Sequence, residues 1–359
     1  MKNRILFLCP DNKNATGGVK QIYRQVDILN KNGYNAHVLH KKIGYKSKFF
    51  KNNTSIRYNS KIFNRLNYTL KINDSQKKLK VIKWETKMIF YNIISFFKSP
   101  FELSFEEDDI LVFPEIYGLA INKIEPKLKK IIFNQNCYYS FQTNSIFDDK
   151  NRIPYFDKNL LLTIVASEDA LNYFKFAIPD LTIRKLRLGI DETIFNYSNQ
   201  KKKQIAFMPR KLEEDLVQVI NILKLRNNLN DWSFVSIDNK SENEVATILK
   251  ESMIFLSFNH REGFGLPPAE AMACGCIVVG YAGNGGDEYF NANLNYKVND
   301  RNVVAFVQKI EYVISEFKKD PNLMIEKGLQ ASNFILNEYN FKNEEADIVS
   351  IWTNLSNRM

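Results

Sequence analysis

Residues 257–280 read SFNHREGFGLPPAEAMACGCIVVG, and this stretch decides the fold. An apolar, partly β-branched run over 253–258 leads into a polar, glycine-punctuated loop over 259–266. Pro267 and Pro268 then open a helix, because proline fits the first helical turn, where amide hydrogens have no intrahelical partner. Gly275 closes that helix, and a further strand begins at Ile277. A strand, a glycine loop, a helix N-terminus and a second strand make the arrangement that holds anionic phosphates on free backbone amides.

Two carboxylates bracket the loop. Glu262 precedes Gly263, and Glu270 follows eight positions later in the first helical turn. The glycines and the double proline between them keep the pair off a common helix face. One therefore faces whatever lies over the loop, and the other whatever lies beside the helix. Carboxylate oxygens accept from sugar hydroxyls, so a grip at each end of a phosphate-binding loop describes a nucleotide-sugar site. Taken singly, either glutamate also reads as an acid placed for the helix dipole. The whole run carries the site reading.

Outward from this stretch the chain alternates strands and helices. Downstream of residue 186 the pattern predicts a strand over 204–208, a helix over 213–225, a strand over 232–237 and a helix over 242–251. Helices over 301–317, 323–337 and 341–355 follow the central stretch, and Gly283-Asn284-Gly285-Gly286 reads as a further loop beside the site. Pro209-Arg210-Lys211 stands at the carboxyl end of the first of these strands, where open α/β sheets place ligand groups. Arginine offers a bidentate fork and lysine a point charge to a leaving diphosphate. Arg210 is favoured over Lys211 for that contact, with ordinary surface charge as the alternative.

The first half opens with a strand over 5–9, a polar loop over 10–16, Gly17-Gly18, a helix over 19–31 and a strand over 34–40, a βαβ beginning. Gly17 and Gly18 either let the backbone approach a ligand closely or make a plain tight turn. Strands are expected over 110–113, 130–133 and 160–166. The second runs into Asn134-Gln135-Asn136, three amides able to bond an acceptor's hydroxyls or to cap a turn.

At 359 residues the chain suffices for two domains with separate cores, and 45% hydrophobic with 25% charged residues is an ordinary globular balance. No apolar run reaches the ~20 residues of a membrane span. The opening MKNRILFLCP is too short in its apolar part for a signal peptide, so a cytoplasmic protein is expected. Cys9, Cys137, Cys274 and Cys276 lack disulfide or zinc spacing, and three histidines argue against a histidine-based metal site. The net charge of +10 is local: fourteen Lys and Arg lie between Lys41 and Lys87 against only Asp74 and Glu85. The segment 41–105 is irregular and turns aromatic over 88–105. A surface helix on anionic membrane and a solvated lysine-rich insertion both fit it. No RNA- or DNA-binding motif accompanies the charge.

The run from Glu262 to Gly275 resembles the signature of retaining GT-B glycosyltransferases of family four, whose hallmark is Glu-x7-Glu. LRLGIDETIF over 186–195 is similar to that family's Asn-Gly-Val-Asp-x-x-x-Phe segment, with Leu188 in place of the usual Asn. The resemblance implies an α/β protein of the GT-B class, two Rossmann-like parallel α/β domains facing across a cleft. Residues 1–185, with the basic insertion 41–105, would form the acceptor-side domain. Residues 186–340 would bind the nucleotide sugar, and 341–359 would form a helix crossing back to the first domain. It further implies that Glu262 contacts the donor sugar, that the amides of Gly263, Phe264, Gly265 and Leu266 meet sugar and pyrophosphate, and that Glu270 holds the ribose. Gly17 and Gly18 would lie near donor phosphate and acceptor, and Asn134, Gln135 and Asn136 remain acceptor candidates. In that family an Arg and a Lys neutralise the diphosphate from positions several residues apart. Here Arg210 and Lys211 are adjacent and followed by Glu213, Glu214 and Asp215.

The implied activity is retaining hexosyl transfer from a nucleotide-diphosphate sugar to a hydroxyl of a glycan or lipid-linked acceptor, in cell-surface polysaccharide synthesis. The departing phosphate oxygen would take the acceptor proton, so no cofactor and no metal are expected. Such an enzyme would work in the cytoplasm, peripherally on the inner face of the membrane. An epimerase-type enzyme or a non-catalytic sugar-nucleotide-binding protein on the same fold are the alternatives.

Overall fold

The computed structural model describes residues 3–12, 16–50, 52–73, 102–142, 153–227, 229 and 231–358. The chain divides into two units. The first comprises Met1–Val165, Tyr173–Lys185 and Ile348–Met359, and the second Ala166–Asn172 and Leu186–Asp347.

The first unit is built on a seven-stranded sheet: β1 (Arg4–Leu8), β2 (Asn35–His40), β3 (Ile56–Tyr58), β4 (Ile110–Pro114), β5 (Lys129–Asn134), β6 (Leu160–Val165) and β7 (Ile183–Lys185). Their order is β3-β2-β1-β4-β5-β6-β7, and every pairing is parallel. A parallel sheet is covered on both faces, which is why β1 and β4 read as near-continuous apolar runs rather than as alternations. Trp352 of the final helix Phe341–Ser356 is fully buried here, its ring 6.1 Å from that of Phe7.

The described residues of the segment 41–105 hold more regular structure than the composition suggests. It supplies the edge strand β3 and the helix Ser60–Asn73, whose Ile62, Phe63 and Leu66 are buried. Asn64, Arg65, Asn67 and Lys71, scattered among the apolar positions of this helix, obscured the helical period. The aromatic stretch 88–105 falls, up to residue 101, outside the described residues. Among the described residues, no helix is long and apolar enough to cross a membrane.

The second unit carries a five-stranded parallel sheet: β8 (Lys202–Phe207), β9 (Ser233–Ser236), β10 (Ser252–Glu262), β11 (Ile277–Asn284) and β12 (Tyr296–Lys297), in the order β12-β11-β10-β8-β9. The central strand β10 outruns its expected end. A polar loop was expected from residue 259, but the strand continues to Glu262, with Asn259 opposite Ala282 and Glu262 opposite Asn284 across an irregular register. Backbone pairing with β11 overrides the polar composition of those last residues. Gly280 has φ +132°, and a Cβ there would stand 2.2 Å from the Ser257 carbonyl oxygen of β10. A larger residue would push β11 off its neighbour. Because the strands are parallel, the loops after β8, β10 and β11 leave the same edge side by side, where sheets of this kind bind ligands.

Candidate functional site

In the second unit the loop after β8 meets the end of β10. The Lys211 ammonium forms an ion pair with the Glu262 carboxylate, which is the last residue of the central strand. Sequence reasoning placed these two in one site from positions fifty-one apart, and the parallel pairing of β8 with β10 brings them together. The Lys211 side chain is 49% exposed, and its ammonium meets a Glu262 side chain that is only 17% exposed. Burial first, and the Arg210 guanidinium second, push its pKa down to about 8. Arg210 itself is exposed in the turn before the helix Glu213–Arg226. The pairing with Glu262 thus belongs to Lys211, while Arg210 projects from the same turn.

The acids that follow do not simply cancel these cations. Asp215 is buried and accepts from the Tyr281 hydroxyl (3.0 Å) and from Arg301 (2.9 Å), and Glu214 accepts from Arg301 at 2.8 Å. Their charge is committed to Arg301, so the positive field of the turn is left to the side where Glu262 lies.

Past Glu262, Gly263, Phe264 and Gly265 form a buried turn that enters the helix Leu266–Ala273. Gly265 is the N-cap residue, in the left-handed region at φ +85°, and a Cβ there would lie 2.5 Å from the Asn259 amide nitrogen. Only glycine closes this turn without strain. Pro267 and Pro268 carry no amide hydrogen, so the donors available at the helix start come from the turn and Leu266. Glu270 is half-buried one turn further along. The loop after β11 packs beneath: a Cβ on Gly285 would stand 2.3 Å from the Gly263 carbonyl oxygen. Gly285 therefore serves close backbone contact with the Glu262 turn, while Gly283 lies against Asn259 and His260. Phe264 is held between two aromatic rings, Tyr289 at 5.1 Å and Tyr339 at 5.0 Å. Among the described residues no group of three or more His, Cys, Asp or Glu side chains is placed to hold a metal ion.

In the first unit, Gly17 and Gly18 open the helix Gly17–Lys31, whose first turn has no acidic residue. Gly18 and Gln135 come together, with the Gln135 amide donating to the Gly18 carbonyl at 3.1 Å. The Asn134-Gln135-Asn136 triplet separates into different jobs. Asn134 is fully buried, donating to Ser140 (2.7 Å) and Tyr155 (2.8 Å). Asn136 is buried too and accepts from the Tyr138 amide at 3.0 Å, a turn cap. Gln135 alone is half open to solvent.

Sequence reasoning passed over Glu115, which follows β4 directly. Its carboxylate is buried and accepts the backbone amide hydrogens of Gln135 (3.0 Å) and Asn136, which fixes the loop after β5. An acid at the carboxyl end of the apolar strand ILVFP was the available signal. Tyr289 left no signal beyond being one more aromatic among many.

Comparison with known proteins agrees with this geometry. Residues 213–330 match the family model described as Glycosyl transferases group 1. An alpha-1,6-glucosyltransferase of Actinobacillus pleuropneumoniae serotype 7 (strain AP76) is 29% identical over 269 residues, covering 71% of this chain and 77% of that protein. Among solved structures, sucrose-phosphate synthase from Thermosynechococcus elongatus superposes with a TM-score of 0.66 at 13% identity, covering 100% of both chains. Anabaena HepE in complex with UDP and glucose gives 0.61 at 12% identity, covering 98% of this chain and 100% of that one. TarM gives 0.63 at 11% identity, covering 99% of each. The second unit carries a glycosyltransferase group 1 domain, and the chain has the two-domain, Rossmann-like GT-B fold. Its chemistry is glycosyl transfer.

Burial pushes the Glu115 carboxyl up from 4.5 to about 7 against the pull of the amides it accepts. The folded chain therefore holds this proton more tightly than the unfolded chain does. The associated stability is complete below about pH 4.5 and is lost as pH rises through about 7. Glu115→Gln should flatten that slope by about 3 kcal/mol across the window, read as the pH dependence of urea unfolding. An unchanged slope would show that Glu115 keeps an ordinary carboxylate pKa.

Proposed function

We propose that the chain is a retaining glycosyltransferase that uses a uridine-diphosphate sugar, with glucose as the first candidate, and glycosylates a hydroxyl of a glycan or lipid-linked acceptor. The observation that carries this reading is the Lys211–Glu262 pair beside a glycine turn that enters a helix N-terminus. The relatives support this choice of donor: HepE was solved with UDP and glucose, S. aureus TarM with UDP and alpha-GlcNAc-glycerol, and the curated relative is a glucosyltransferase. A role in cell-surface polysaccharide synthesis is part of the same proposal.

In the proposed reaction the bond from the anomeric carbon to the diphosphate breaks through an oxocarbenium-like state. Arg210, Lys211 and the amides of Gly263 to Leu266 meet the charge that grows on the departing phosphate. That phosphate oxygen takes the acceptor proton, and the acceptor oxygen bonds the anomeric carbon from the face the diphosphate leaves. Glu262, oriented by Lys211, supports the positive sugar, and Glu270 holds the ribose. This chemistry asks for no metal, because the two cations and the amides supply the positive charge. On the acceptor side we assign Gly17, Gly18 and Gln135, with Asn134 and Asn136 shaping the loop.

Lys211→Ala should lower turnover of UDP-glucose by on the order of 10²–10³-fold while the protein stays folded. Wild-type turnover should fall as pH rises through about 8, where Lys211 loses its charge, and Lys211→Arg should extend the plateau upward. Turnover that is indifferent to both substitutions would remove Lys211 from the reaction.

The lysine-rich segment 41–105 is proposed to contact anionic membrane, which would place the enzyme on the inner face of the membrane. Binding to phosphatidylglycerol vesicles should then weaken with salt and with Lys→Glu changes over 41–87. Equal binding to neutral vesicles would contradict it.

A further inference from the structure

We infer that Tyr289 is the positioning residue that turns the donor-loop amides toward the diphosphate; the inference rests on the nucleotide-sugar reading above. Tyr289 is fully buried, and its hydroxyl lies 2.6 Å from the Gly265 carbonyl oxygen and 3.1 Å from that of Phe264. Those two oxygens belong to successive peptide units, Phe264–Gly265 and Gly265–Leu266. In a trans peptide the C=O and the N–H point in opposite directions. A hydroxyl that draws both oxygens to one side therefore sends the N–H groups of Gly265 and Leu266 to the other.

The backbone supports the same conclusion. Gly265 is left-handed, with φ +85° and ψ +68°, and Leu266 begins a right-handed helix. A left-handed residue followed by a right-handed one forms a concavity of successive amides that binds anions. The turn is shaped around the hydroxyl. A Cβ on Gly265 or on Gly286 would stand 2.9 Å from it, so both glycines make room for that oxygen. Ring contacts fix the phenol from behind: Tyr289 packs on Phe264 at 5.1 Å and on Phe290 at 5.7 Å. The Tyr339 hydroxyl in the same cluster goes elsewhere, donating to Glu288 at 2.8 Å. One hydroxyl among these aromatics thus addresses the loop carbonyls.

The aim of the amides matters for the diphosphate and not for the nucleoside. Titration calorimetry with UDP and with uridine separates the two. Tyr289→Phe should weaken UDP binding by about tenfold, the loss of one hydrogen bond's worth of preorganisation, while uridine binding stays at the wild-type value. Tyr339→Phe, which keeps the ring against Phe264 and removes only the hydroxyl that donates to Glu288, should leave both unchanged. Equal weakening of UDP and uridine by Tyr289→Phe would mark a purely structural role and overturn the inference, as would no weakening at all. If wild-type protein binds no UDP, the donor reading itself fails, which is a different outcome. Wild-type amide exchange gives a check free of any variant. UDP should protect the Gly263–Leu266 amides and uridine should not; equal protection by both would overturn the assignment.

Discussion

The parallel register of β10 with its two neighbours is the constraint on which the second unit depends. Ile254 of β10 stands opposite Ile205 of β8 and Ile277 of β11, and from that alignment the three loops that matter emerge together. Gly280 makes the β11 side possible, since any Cβ would strike the Ser257 carbonyl at 2.2 Å. Around this seam lies a core that includes Leu256, Phe258, Tyr281 and Phe306, all buried. Burying side chains of this size contributes about 1.5–3 kcal/mol each, enough to hold polar strand ends such as Asn259 in place.

On that frame, electrostatics and backbone geometry divide the work. The Lys211–Glu262 pair keeps a carboxylate and an ammonium at the lip of the central strand, each setting the other's orientation. Arg301, donating to both Glu214 and Asp215, keeps those acids from drawing on these cations. The turn from Gly263 to Gly265 is fixed from beneath by Gly285 and from the side by the Tyr289 hydroxyl. Each contact removes freedom before any ligand arrives, which is how fixed dipoles become useful to a developing charge.

Much of this was legible in the chain and some was not. The glycine loop and the double proline announced the central stretch because each reflects a backbone requirement, and the two glutamates because their carboxylates bracket that loop. The end of β10 was misplaced because its last residues, Asn259 to Glu262, are polar, and only pairing with Ala282 and Asn284 makes them a strand. The helix Ser60–Asn73 was hidden by Lys and Asn between its apolar positions. Within Asn134-Gln135-Asn136, three like amides carry no mark of which one stays open; the positions of Ser140, Tyr155 and Tyr138 decide it. Glu115 and Tyr289 act on backbone groups distant in sequence; Glu115 is marked only by its place after an apolar strand, and Tyr289 by nothing local.

The central claim is that fixed amides and two cations in the second unit seat a nucleoside diphosphate. Thermal unfolding in the presence of EDTA, with UDP, UDP-glucose or uridine added, tests it most directly. The account predicts that both diphosphates raise the melting temperature without metal, by about 2.7 kcal/mol of stabilisation at a hundredfold excess over the dissociation constant. Uridine at the same concentration should add far less. No stabilisation by either diphosphate, or stabilisation that appears only when a divalent cation is restored, would contradict it.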